Sequence, residues 1–308
     1  MTTRLARLTF VHALSRLHAG IGQGAGVIDL PIAREKATGL PFLPGSSLKG
    51  ALRARCSAKE CEQVFGPDTS KIETESNHAS SAQFSDQRLL LLPIRSLVGT
   101  FAWVTSPYVL RRLVRDIKDA DLVPPAKVIP AIERVETCVI ANSNKSKIHL
   151  DGPEAKVYLE DLELNPQANQ EAQTWAEWIG QQVFSDDPEY RQMLIERICI
   201  VHDDVFSFLV ETATEINAHI KLKEGTKTVQ DGGLWYEEAL PAETILSGIV
   251  LATPNKASGI DTECVFKVLQ GLTGEALQLG GKATTGHGMC RVQFAGEVEK
   301  GATDCVNA

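Results

Sequence analysis

The sequence predicts an α+β fold, and three observations carry that prediction. Residues 4–11 alternate Ala6, Leu8 and Phe10 with more polar neighbours, the two-residue period of a strand. A helical pattern, two short apolar runs and a second helical pattern follow in that order, and strand, helix, two strands and helix together suggest a ferredoxin-like unit. The end of the chain, with a strand, a helix, a glycine loop and a strand, looks like a second half of the same type.

Taken in order, the first strand runs into Gly20, Gly22, Gly24 and Gly26 at every second position, a backbone able to approach a ligand closely. Beyond Pro44 and Gly45, Ser46 or Ser47 is suited to cap a helix whose apolar residues Leu48, Ala51, Leu52 and Cys56 recur at helical spacing. That helix is expected to end before Phe65, and a polar mobile loop to occupy residues 67–86. Residues 88–95 and 99–105 read as buried strands, and Pro107 opens a helix with Leu110, Leu113, Val114 and Ile117 on one side. Residues 120–215 read as a helical insertion, with amphipathic helices over 170–184 and 188–200 and a third capped near Asp203 and Asp204. Alternating segments around a glycine turn predict a hairpin over 215–237, polar on both faces, like an arm reaching a neighbour. A strand over 244–252, a helix over 261–272, a glycine loop over 279–288 and a strand over 289–294 close the chain.

With 308 residues, 43% of them hydrophobic, the chain can bury a large core in one elaborated domain or two small ones. Its apolar runs fall far short of the roughly 20 residues of a membrane-spanning helix, and the N-terminal stretch lacks the apolar region of a secretory leader. A cytoplasmic location is expected. Seven scattered cysteines without a Cys-x-x-Cys pair argue for free thiols and against a disulfide framework or a thiolate zinc site. A net charge of −8 argues against a free-standing nucleic-acid binder. Between Asp29 and Cys56, however, five basic residues stand against two acids. An acidic body with a basic stripe fits a subunit that meets RNA on one face inside an assembly.

The first glycine loop follows a strand, as a dinucleotide-binding loop does, but Val27, Ile28 and Pro31 stand where the helix facing pyrophosphate would begin. Asp29 can be read as a turn former. Beside Arg34, with Lys49 and Arg53 four apart on one helical face, it can equally be a metal ligand or proton acceptor next to groups that hold phosphates. Gly280, Gly281, Gly286 and Gly288 surround Lys282 and His287, as either a phosphate cradle or an ordinary helix-to-strand turn. His18, at the strand exit, is a candidate acid or 2′-hydroxyl contact, or a structural histidine.

Several stretches then carry a resemblance: His18-Ala-Gly-Ile-Gly, Val27-Ile-Asp-Leu-Pro-Ile-Ala-Arg-Glu, Leu43-Pro-Gly-Ser-Ser-Leu-Lys-Gly, residues 89–107, residues 237–244 and the loop 279–288. They resemble the CRISPR-associated RAMP superfamily, and within it the Cas7-like backbone subunits of type III-B effector complexes. The matches run in family order across nearly the whole chain and are weakest over residues 120–215. The resemblance implies a single domain over residues 1–308, a ferredoxin-like (RRM-like) palm with helical insertions and a β-hairpin thumb. It implies assembly of copies along a CRISPR RNA, with the other subunits of the complex, and cleavage of a complementary target RNA at regular intervals. Asp29 is implied as catalytic residue and metal ligand, with His18 and Glu238 beside it and Glu237 as the alternative to Glu238. Lys49 is similar to a guide-phosphate contact, and Ser46, Ser47, Arg53, Gly280, Gly281, Lys282, Gly286 and His287 are expected to bind RNA. The expected cofactor is a divalent metal, Mg²⁺ or Mn²⁺.

The chemistry fits these residues. RNA carries its own nucleophile, so a 2′-hydroxyl held in line with the phosphate needs only positioning, one acid and a metal. That implies a cyclic 2′,3′-phosphate and a free 5′-hydroxyl as products. The competing reading, from a different class, is a non-catalytic guide-RNA filament subunit in which Asp29 is inert; a nucleotide-binding enzyme is the third.

Overall fold

The computed structural model describes residues 4–296 apart from residues 25, 57, 68–78, 127, 143, 151, 153–154 and 255–258. The alternating N-terminal stretch forms β1 (Leu5–Ala13), partly exposed at its start and buried from Leu8 onward. β2 (Phe42–Leu43) leads into α1 (Gly45–Arg55), and α2 (Ala58–Phe65) follows where one longer helix was expected. The break falls at Cys56, whose extended backbone turns its N–H back to Arg53 O. Neither Ser46 nor Ser47 caps α1: Pro44 holds the cap position, and Asp86 Oδ1 accepts the Gly45 N–H at 2.9 Å from a distant turn.

Most of the expected mobile loop, residues 68–78, lies outside the described residues; its end forms a strand, β3 (Ala82–Phe84). β4 (Gln87–Arg95) and β5 (Phe101–Thr105) are the expected buried pair, and Ser106 caps α3 (Pro107–Asp119). Residues 120–215 hold more than helices. β6 (Thr137–Ile140), β7 (Val157–Leu159), β8 (Leu162–Ala168) and β9 (Ile198–Val201) accompany α4 (Gln170–Val183), α5 (Pro188–Arg197) and α6 (Asp203–Thr212). β6 and β9 are four-residue strands buried throughout, so they lack the alternation that marks a half-exposed strand.

The hairpin of β10 (Glu215–Leu222) and β11 (Val229–Ala239) is a separate two-stranded sheet. Its cross-strand pairs Ala218↔Tyr236 and Ile220↔Leu234 form one face, and Asn217↔Glu237 and His219↔Trp235 the other. The first face is apolar and exposed, with Ile220 at 54% and Leu234 at 52%, which corrects the expectation of two polar faces. β12 (Ile245–Ala252), α7 (Thr262–Leu272), β13 (Leu277–Gln278) and β14 (Met289–Phe294) complete the chain.

All strands outside the hairpin belong to one mixed sheet, in the order β13-β14-β1-β12-β4-β5-β9-β6-β8-β7, with β2 on β4 and β3 on β12. Phe10, Trp103, Trp175, Phe206 and Phe266 are the bulkiest side chains of its core. β1 runs antiparallel to both neighbours, pairing His12 with Ile245 and Ala13 with Cys290. The end of β1, the start of β12 and the start of β14 therefore meet at one edge, and the loops flanking them are brought together there. Among the described residues five cysteines form no disulfide; Cys264 is disulfide-bonded, so the expectation of free thiols fails at that position. Among the described residues no helix is long and apolar enough to cross a membrane.

Candidate active site

The first glycine loop is closed by its own backbone. Leu17 exchanges two hydrogen bonds with Leu240, each 2.9 Å, and Ala33 N–H donates to Ala19 O at 2.8 Å. Leu30 then runs beside the end of β11, donating to Tyr236 O at 3.1 Å and accepting from Glu238 N–H at 3.0 Å. The loop thus forms a one-residue parallel bridge, Leu30 to Glu237, along the edge of the hairpin. This fixes Asp29 beside Tyr236, whose N–H donates to Asp29 Oδ2 at 2.8 Å. The Asp29 side chain is otherwise exposed, and among the described residues its Oδ1 has no hydrogen-bond donor.

The second glycine loop docks on the first through His18. His18 O accepts the Gly281 N–H at 2.9 Å, and His18 Nδ1 bonds Glu238 O at 2.7 Å. A carbonyl only accepts, so Nδ1 carries a proton and Nε2 is the ring nitrogen left without that bond. That arrangement leaves Nε2 as the ring nitrogen for a 2′-hydroxyl contact or a proton transfer, the two roles expected of His18. Gly280 has φ 69°, and a Cβ there would stand 2.4 Å from His18 O, whereas a Cβ at Gly286, with φ 81°, would meet open space. Gly280→Ala should therefore destabilise the chain by clearly more than about 1 kcal/mol, and by more than Gly286→Ala. Thermal unfolding of the two variants checks this, and equal losses would refute the collision.

Beneath these loops, Glu237 Oε1 accepts from Lys282 Nζ at 2.6 Å and from Trp235 Nε1 at 2.6 Å, while its Oε2 lies 3.4 Å from His219 Nε2. The His219 ring stacks on Trp235 at 5.6 Å. Burial pushes the Glu237 carboxyl up, but the hydrogen bonds from Lys282 and Trp235 and the nearby His219 outweigh it and hold it below the usual range. His287 is buried close by, and burial followed by the Arg16 charge holds its imidazole below its ordinary value.

Glu238 points the other way. Its Oε1 accepts from Arg34 at 2.6 Å and Thr214 at 2.9 Å, and its Oε2 from the Ile32 N–H at 3.1 Å. Arg34 also donates to Gly39 O and Val210 O. Glu238, expected beside Asp29, pairs with Arg34 in a cross-link that roots the loop on the hairpin, and the two also line a groove of about 490 Å³ with Gly24, Gly26, Val27 and Ile28 of the first glycine loop.

Two adjoining grooves result. One of about 340 Å³ is lined by His18, Gly20, Ser47, Gly280, Gly281 and Lys282, and one of about 440 Å³ by Asp29, Gly24, Gly232, Trp235 and Lys282 among others. Lys282 belongs to both. Lys49 and Arg53 sit apart on α1, half-buried, and burial followed by the Arg53 charge lowers the affinity of Lys49 for its proton. Such a cation pair, without an acidic partner among the described residues, is relieved by an anion. Lys49→Ala should weaken guide-RNA retention and reduce the log–log salt slope by about 0.7–0.9, readable by filter binding across a salt series; an unchanged slope would refute the contact.

Among the described residues no group of three or more His, Cys, Asp or Glu side chains could hold a metal. Asp29 offers one carboxylate, so a Mg²⁺ or Mn²⁺ ion would take its remaining ligands from RNA oxygens and water.

Residues 10–291 match the RAMP superfamily. The chain is a RAMP protein. It is 35% identical over 306 residues, 97% of this chain and 98% of the relative, to the CRISPR system Cmr endoribonuclease Cmr4 of Pyrococcus furiosus. The crystal structure of oligomeric Cmr4 from Pyrococcus furiosus is similar with a TM-score of 0.70 and 28% identity, covering 94% of this chain and 97% of that one. A chain in the cryo-EM structure of type III-B Cmr-beta bound to cognate target RNA shares the fold, with a TM-score of 0.71, 22% identity and coverage of 94% and 97%. In this RAMP protein the sequence reading missed His219 and Trp235 altogether. Their signal lay in the hairpin register, since His219 and Trp235 are a directly opposed pair on the face that carries Glu237.

Proposed function

We propose that the chain is the CRISPR-RNA-binding backbone subunit of a type III-B (Cmr) effector complex and the endoribonuclease that cuts guide-paired target RNA at regular intervals. The observation that supports it most is the placement of Asp29. Its carboxylate is exposed, held by one backbone N–H, and set in a groove that adjoins the one lined by both glycine loops and Ser47. The large sheet acts as a ferredoxin-like (RRM-like) palm and the β10–β11 hairpin as a thumb. The guide lies along α1 and the second glycine loop, with Lys49, Arg53, Ser46, Ser47, Gly280, Gly281, Gly286 and His287 around it. Copies of the chain and other Cmr subunits assemble on that guide in the cytoplasm.

Cleavage follows from RNA's own chemistry. The 2′-oxygen forms a bond to phosphorus as its proton passes to Asp29 or a water that Asp29 orients, the bond from phosphorus to the 5′-oxygen breaks, and that oxygen takes a proton from water. The products are a 2′,3′-cyclic phosphate and a 5′-hydroxyl. A divalent metal held by Asp29 and the RNA would supply positive charge at the phosphate. His18 accepts a hydrogen bond at Nε2 and orients the ribose. Sequence is read by guide pairing, and the protein reads backbone and shape.

A second reading has one observation behind it: Tyr236 N–H donates to Asp29 Oδ2, so the carboxylate also serves as a turn cap. A non-catalytic filament subunit would need nothing more. The deciding experiment measures evenly spaced target cleavage and target binding by the assembled complex carrying Asp29→Asn. Lost cutting with intact binding supports the endoribonuclease.

A further inference from the structure

The geometry points to Lys282 as a catalytic residue of this cleavage, the cation that meets the scissile phosphate of the target strand, with Glu237 as its positioning residue. The inference rests on the cleavage assignment above and deepens it. Four observations carry it. Among the described residues the groove that holds Asp29 has one cationic side chain in its lining, Lys282, whereas Lys49 and Arg53 line neither groove. Lys282 Nζ is anchored 2.6 Å from Glu237 Oε1, with the lysine side chain 32% exposed and the glutamate 5%. Lys282 has φ 66°, a left-handed backbone that costs a residue bearing a Cβ about 1–2 kcal/mol and that glycine would adopt freely. Strain of this kind collects where a side chain must be aimed. Finally, Glu237 keeps the hydrogen bond from Trp235 Nε1 at 2.6 Å, with His219 Nε2 a further 3.4 Å neighbour of its Oε2. The ammonium can therefore turn to a phosphate without stranding a buried carboxylate.

The chemistry requires such a group. As the 2′-oxygen bonds to phosphorus, negative charge grows on the non-bridging oxygens and calls for a cation to meet it. Lys282 donates hydrogen bonds to one of those oxygens and stays an ammonium throughout; the proton transfers are those already given. A fixed donor strengthens its hold as the charge develops, which lowers the barrier more than it tightens binding.

The test uses the assembled, guide-loaded complex under single-turnover conditions with saturating complementary RNA. Lys282→Gly removes the ammonium while suiting the left-handed backbone, so loss of folding does not cloud the result; thermal unfolding checks that. We expect Lys282→Gly to slow cutting at saturation about 100-fold with guide and target affinities little changed, and Lys282→Arg to restore part of the rate. Glu237→Gln should slow cutting less, and Lys282→Gly with Glu237→Gln should be no slower than Lys282→Gly alone, because Glu237 acts through the lysine. A Lys282→Gly complex that cuts at the wild-type rate overturns the proposal, as does one that loses affinity alone. If Asp29→Asn abolishes cutting and Lys282→Gly does not, only the role of Lys282 fails. If neither slows cutting, the cleavage assignment fails with it.

Discussion

Asp29→Asn is expected to slow target cleavage by the assembled complex about 10³-fold, within the range of a lost acid–base group, while guide loading and target binding persist. The substitution is well matched to the site. Among the described residues the one protein bond to the carboxylate comes from a backbone N–H of Tyr236 at 2.8 Å, and an amide oxygen accepts it equally well. Loop geometry is kept, and the charge and the proton acceptor are removed. Asp29→Ala removes the acceptor as well, so its additional effect, about 1 kcal/mol of loop stability, measures the turn-capping share. Denaturing gels of labelled target RNA read the outcome. Undiminished, evenly spaced products from the Asp29→Asn complex would sink the enzyme reading and leave a structural filament subunit.

Glu238→Ala should give the largest loss of stability, about 3–5 kcal/mol, the cost of breaking a buried ion pair from one side. The side chain is buried, and its two oxygens take three hydrogen bonds, from Arg34, Thr214 and the Ile32 N–H. Removing it strands the Thr214 hydroxyl and the Ile32 N–H and leaves the Arg34 charge without its carboxylate. Chemical denaturation of the isolated chain reads the loss directly, and Glu238→Gln, which still accepts from the backbone, should fall between. Target cutting will drop as well, but through folding. An excluded osmolyte such as sucrose, which favours the compact state, should therefore restore cutting to the Glu238→Ala complex and leave Asp29→Asn inactive. A Glu238→Ala chain of wild-type stability that fails to cut would return Glu238 to the reaction itself.

How legible these features were in the sequence depended on whether the signal was local. β1, the β4–β5 pair, α3 and the hairpin announce themselves through period, caps and turn residues. β6 and β9 did not, because strands of four residues covered on both sides carry neither alternation nor length. The start of α1 was misread for a related reason: its N–H partner is Asp86, 41 residues away, and no local pattern encodes a long-range acceptor. At the site, the glycine loops and Asp29 could be named from residues and family likeness. The different duties of Glu237 and Glu238 could not be separated. Neighbours on a strand face opposite ways, and which way each faces depends on a register that only the Leu30 and β10 pairings fix. Lys282 was visible as a basic residue in a glycine loop, but its left-handed backbone and its grip on Glu237 belong to the folded chain alone.

The strip of pairing between Leu30 and the end of β11 makes the acidic loop and the hairpin a single lever. Leu30 bonds to both Tyr236 and Glu238, and the Tyr236 amide bonds to the Asp29 carboxylate, so a displacement of the hairpin root carries the carboxylate with it. Under the proposed function, the position of the hairpin in the assembly therefore fixes the position of the Asp29 carboxylate. Under that same proposal each copy carries one carboxylate tied to its own hairpin, so the interval between cuts equals the interval between copies.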